Sequence, residues 1–173
     1  MLKLIERLDA TADAIPDDTL TLPYELRIRG RLKARSDHGR ELRLFLDRGP
    51  VLRDGALLRA ESGETVRVIA ADEPVATVWV ESGLPLARLC YHLGNRHVAL
   101  AIGGDDRLGW VRFPPDHVLE ELAVRLGARV EHHHAPFDPE PGAYSQAGHG
   151  HSHEHGQGHG HEHEHHHGHS HAH

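Results

Sequence analysis

Cysteine is all but absent from this chain. Cys90 is the single one among 173 residues, which excludes an internal disulfide framework and fits a reducing compartment. Long apolar runs are missing as well. The opening MLKLIERLDA carries Lys3, Glu6, Arg7 and Asp9, so it offers no apolar heart for a secretion signal. No stretch approaches the ~20 apolar residues of a membrane span. The expectation is a soluble, cytoplasmic protein with no membrane partner. Cationic excess is also lacking: 19 Lys and Arg against 26 Asp and Glu leave a formal charge of -7 with histidine neutral. A general nucleic-acid binder should be basic, so no nucleic-acid partner is expected. Catalytic signatures are missing too. There is no HExxH, no glycine-rich phosphate loop and no nucleophile elbow, and nothing points to an enzyme or to a catalytic residue.

The positive charge that is present is unevenly spread. Ten of the 19 cationic side chains fall between Arg27 and Arg59. Two readings stand: a solvated strand face, or a surface for an acidic protein partner.

Histidine is what the chain has in excess. There are 20, and thirteen occupy the last 25 residues: His149, His151, His153, His155, His159, His161, His163, His165, His166, His167, His169, His171 and His173. Their companions are Gly, Glu, Ser, Gln and one Ala. Such a segment has nothing apolar to bury against its ordering entropy, so it is expected to be disordered. Imidazole is a borderline ligand for nickel, zinc and copper, and with an ordinary pKa of about 6.5 most copies are neutral at pH 7. The His-x-His spacing of HGHSHEH and HGHEHEHHHGHSH lets a pliable chain wrap several rings around one ion. A purification tag is the bland alternative. The absence of a run of six histidines and the interleaved Gly and Glu speak against it. Buffering, storage and delivery of metal all need these same residues.

Upstream of the tail the pattern is α+β. Glu25 to Lys33 (ELRIRGRLK) alternates, with Leu26, Ile28 and Leu32 on one side and Arg27, Arg29, Arg31 and Lys33 on the other, which predicts a half-buried strand. Ser36 to Gly39 supplies a turn and Glu41 to Asp47 a return strand. Leu57–Ala60 and Thr65–Ala71 are further strands, punctuated by Asp54-Gly55 and Ser62-Gly63. After Asp72-Glu73-Pro74 come a strand (Val75 to Glu81), a helix (Pro85 to Leu93), strands at His97 to Ile102 and Leu108 to Phe113, a helix (Pro115 to Leu126) and a strand (Ala128 to His134). That order, β-α-β-β-α-β, is the split βαβ or ferredoxin-like arrangement. The predicted organisation is a small all-β domain over residues 1–73, a ferredoxin-like domain over 74–144 and a disordered His-rich tail over 145–173.

Candidate ligands on the folded part are few. His92, Asn95, Arg96 and His97 lie in YHLGNRH. If Val98, Leu100 and Ile102 face the core, His97 lies on the opposite side, open to solvent or a partner. His117 sits in the first turn of the second helix, where a solvated residue is the alternative to a ligand. In the run His132 to His134, alternation places His132 and His134 on one face, as metal donors or by chance enrichment. Cys90 takes a core position, so a packed thiol outweighs a ligand.

YHLGNRH, DHVLEEL, the closing APFDPEPGAY (Ala135 to Tyr144) and the His-rich tail together resemble the UreE family of urease accessory proteins. The segment LDRGPVLRDGALLRAESGETVRVIAADE is similar to that family's N-terminal domain. The resemblance runs from about residue 1 to Tyr144. It implies a homodimer that carries nickel to apo-urease together with the urease accessory GTPase. It further implies an N-terminal domain that engages protein partners and a ferredoxin-like domain that binds metal. The family's central ligand, the histidine of GNRH, corresponds to His97, two copies of which meet near the dimer axis. The DHVL histidine, here His117, is an additional ligand in some members. Some relatives carry another histidine two positions earlier, where this chain has Pro115, which puts a second paired site in doubt. A metal buffer or store without a dedicated recipient is the rival, and imidazoles alone do not select nickel over zinc or copper.

Overall fold

The computed structural model of the chain describes residues 1–8 and 15–141. Alternating leucines build its first sheet. β1 (Leu2–Leu8), β2 (Asp18–Leu22), the short helix α1 (Tyr24–Arg27), β3 (Arg31–Arg35), β4 (Glu41–Phe45), β5 (Leu57–Ala60) and β6 (Thr65–Ala70) follow one another. The strands assemble in the order β2-β6-β5-β1-β4-β3, with β1/β4 and β2/β6 parallel and the other pairs antiparallel. Leu4, Leu20, Leu42, Leu44, Leu58, Val66 and Val68 are buried together beneath the sheet. Each fully buried side chain of this kind contributes about 1.5–3 kcal/mol against exposure.

The chain passes almost directly from β6 into β7 (Asp72–Glu81), then α2 (Leu84–Gly94), β8 (Ala101–Gly104), β9 (Leu108–Phe113), α3 (His117–Arg125) and β10 (Arg129–Pro136). This second sheet is wholly antiparallel in the order β10-β7-β9-β8, the split βαβ topology expected from the sequence. Both helices cover one face. Leu89 and Leu93 of α2 and Leu119 and Ala123 of α3 pack on Ala76, Val78, Val80, Val111 and Phe113. On the opposite face Val75, Ala101, Ala135 and Phe137 are buried with help from Tyr24 and Trp110, so α1 of the first unit packs against the second.

Three readings of the sequence need correction. The strand expected over residues 25–33 does not form. Pro23, with φ fixed at -68°, starts the helical turn α1 instead, and the paired strand begins only at Arg31. Arg27, expected on the solvent side, is 1% exposed, whereas Ile28 is 54% exposed. Its guanidinium goes inward because it finds acceptors there: Leu52 O and Asp138 Oδ1, each at 2.9 Å, and Phe137 O. The strands β1 and β2 were not anticipated, although Leu2/Leu4 and Leu20/Leu22 carry the two-residue period. Finally, the strand expected from His97 starts at Ala101. Val98 and Leu100 do pack beneath the helices, but Ile102 remains 39% exposed at the sheet edge.

Candidate metal centre

α2 owes its length to Leu86, Leu89, Cys90 and Leu93 on one face, and it runs out at Gly94. The amides of Asn95, Arg96 and His97 then satisfy the free carbonyls of Tyr91, Leu93 and Gly94 at 3.0–3.1 Å. Closing that turn forces His97 to φ 56°, and among the described residues it is the sole non-glycine in the left-handed region. Most side chains are strained there by roughly 1–2 kcal/mol, although histidine is one of the residues that tolerates it. His97 is thus exposed because it belongs to a turn, not because of strand alternation. Val98 and Leu100 pin the chain immediately after it. The result is an outward imidazole on a backbone held from both sides.

His92 is exposed on α2, one turn earlier, its ring against Tyr91 with centroids 5.3 Å apart. His117 is the first residue of α3 and is also exposed. The helix start is set by Asp116, whose Oδ1 accepts from the amides of Val118 at 2.9 Å and Leu119 at 3.1 Å. Glu120 reaches back and accepts from the Asp116 amide at 3.1 Å. In β10, His132 Nε2 lies 3.0 Å from Glu120 Oε1. His133 faces the other side of the sheet, its Nε2 2.7 Å from Thr77 Oγ1. His134 is exposed. Cys90 is partly buried, and burial pushes its thiol up, away from the thiolate a metal would need.

Among the described residues no three His, Cys, Asp or Glu side chains are placed to hold one ion. A single chain therefore does not gather His97, His117 and His132 into one site. The tail histidines, His149 to His173, lie outside the described residues, as do the last positions of the PEPGAY motif. The stretch leading to them is well fixed: Phe137 is fully buried, and the Glu140 amide donates to Leu100 O at 2.8 Å. Glu140, next to the last described residue, thus lies beside Leu100, three residues after His97. Two participants escaped the sequence reading. Glu120 had a usable signal, its place three residues after His117 on one helix face. Arg27 had none, since its acceptors lie far along the chain, at Leu52, Phe137 and Asp138.

None of the described helices is long and apolar enough to cross a membrane. Residues 2–71 match the N-terminal domain of the UreE urease accessory protein, and residues 73–173 match its C-terminal domain. The chain is 67% identical over 149 residues to the urease accessory protein UreE of Pseudoalteromonas translucida, covering 86% of this chain and 88% of that one. It is 66% identical over 154 residues to that of Marinobacter nauticus, covering 86% and 85%. With the Proteus mirabilis protein of the same name it shares 46% over 137 residues, covering 79% and 83%. With both domains matched in order over almost the whole chain, this protein belongs to the UreE family of urease accessory proteins.

Proposed function

We propose that the protein is a nickel carrier that delivers the ion to apo-urease while the urease metal centre is assembled. The observation that carries this reading is His97: an exposed imidazole on a strained but fixed turn, in a chain of the urease accessory family. One such donor cannot hold an ion alone, and no other donors converge with it among the described residues. A two-fold homodimer supplies the second, because an isologous contact places the same residue on both sides of the axis. The His-rich tail gathers ions through many weak, interchangeable imidazoles. Ions pass from the tail imidazoles to His97 by ligand exchange, with no covalent step. His117 acts as an accessory donor. In this division of labour residues 74–144 handle metal, residues 1–73 engage urease and the accessory GTPase, and the carrier works in the cytoplasm.

The rival is a buffer or store that binds nickel, zinc or copper without a recipient. Nickel-loaded protein mixed with apo-urease and its other accessory proteins separates the two. A carrier activates urease faster than the same amount of free nickel, and His97→Ala removes that advantage while the tail stays loaded. Activation no faster than with free nickel would leave storage as the function.

A further inference from the structure

The groove between α3 and β10 holds a pair of donors that neither His97 nor the tail explains. Its volume is about 480 Å³, and Val124 and Val130 form its apolar wall while His117, Glu120 and His132 border it. His132 Nε2 and Glu120 Oε1 stand 3.0 Å apart, with side chains 60% and 18% exposed. We propose that Glu120 and His132 form a docking point for a borderline divalent cation, nickel or copper, on the folded body and independent of His97.

An exposed ion pair of this kind contributes only about 0–1 kcal/mol, so the fold does not require it. The spacing is informative. Two donors each about 2.1 Å from one ion lie roughly 3.0 Å apart when they subtend a right angle, and roughly 3.4 Å apart in a tetrahedron. The observed 3.0 Å suits the tetragonal or octahedral preference of nickel and copper sites with nitrogen and oxygen donors. The ion takes the place of the direct contact between imidazole and carboxylate, and the carboxylate charge offsets part of the dication's. Glu120 Oε1 is held in place by the Asp116 amide at 3.1 Å, the kind of outer contact that orients a ligand. Strand alternation turns His132 to the helix side, where Val130 packs. Since no third donor converges among the described residues, water completes the coordination. The site is weak and exchanges fast, as suits a waypoint rather than a store.

The test uses the full-length chain with the thirteen tail histidines replaced by serine and with His97→Ala, so that failure of the His97 reading cannot imitate failure of this one. Amide NMR spectra are followed as nickel chloride is added. Paramagnetic loss of the Glu120, Glu121 and His132 signals is expected at nickel levels that leave the first sheet untouched. Glu120→Gln, which keeps an acceptor for the Asp116 amide, should raise the nickel needed at least tenfold, and His132→Asn should do the same. If those signals survive, or vanish equally in the substituted proteins, the pair is an ordinary surface ion pair and the proposal is wrong.

Discussion

Arg27 Nη1 donates to Asp138 Oδ1 at 2.9 Å across the boundary between the two sheets, from a guanidinium whose side chain is 0% exposed. The same group bonds Leu52 O and Phe137 O, and Arg53 approaches Asp138 at 3.2 Å from the other side. Tyr24 stacks edge-on against Phe137, with ring centroids 5.1 Å apart. The stretch that leads to the tail is therefore clamped by the first unit, not the second alone.

Removing one member of a buried, hydrogen-bonded charge cluster costs about 3–5 kcal/mol. Arg27→Ala is expected to lose that much in urea unfolding, leaving the Leu52 and Phe137 carbonyls without this donor while Asp138 keeps only Arg53. Asp138→Ala should lose clearly less, because Asp138 is 29% exposed and Arg27 keeps its two carbonyls. Equal losses, or an Arg27→Ala cost under about 1 kcal/mol, would contradict the clamp.

At His97 stability and function should part company. Glycine adopts φ 56° without strain, so His97→Gly should be at least as stable as the parent. His97→Ala should be roughly 0.5–1 kcal/mol less stable than His97→Gly, because alanine keeps the Cβ penalty of the left-handed region. Both should lose the tightest nickel site in a protein ending after Tyr144, with the dimer retained. Calorimetric titration of the two variants beside thermal unfolding decides it. Parental nickel affinity in either one would remove His97 as the ligand.

Ending the chain after Tyr144 should leave a folded dimer that binds far fewer nickel ions, since the deleted segment has no apolar side chain larger than its two alanines to contribute to a core. Equilibrium dialysis and sedimentation measure both properties. In the full chain, uptake should fall as pH drops through roughly 6.5, where protons compete for imidazole nitrogen. Unchanged stoichiometry after truncation, or nickel binding that ignores pH between about 7.5 and 5.5, would exclude the tail imidazoles as the main store.

Acid should unfold the first sheet partly through Asp18, which is 2% exposed. Burial alone would raise its pKa, but hydrogen bonds from Ser36, His38 and the Thr19 amide outweigh it and bring the carboxyl from 3.8 to about 2. A pKa lower in the folded than in the unfolded state means that the stabilisation is complete above pH 3.8. It is lost as pH falls toward 2. Asp18→Asn should flatten the stability profile in that window and leave the rest of the curve parallel. An unchanged acid limb would show that Asp18 does not contribute.

The sequence by itself determined the second domain's order of elements. Leu86, Leu89, Cys90 and Leu93 carry the helical period, and Val75 to Glu81 the β-branched content of a strand, and both depend only on neighbours along the chain. It also determined the composition of the tail and, through GNRH and DHVL, the family. What it could not reveal depends on partners far away in the chain. Arg27 reads as one more cation on an alternating strand until Leu52, Phe137 and Asp138 supply acceptors for it, and burying a charge is tolerable only once such acceptors are in place. His97 reads as a strand residue until the packing of Leu93 beneath and Leu100 beyond closes the turn and turns its backbone left-handed. The meeting of Glu120 with His132 belongs to tertiary structure as well, because local periodicity says which face a residue occupies but not which element will lie against that face.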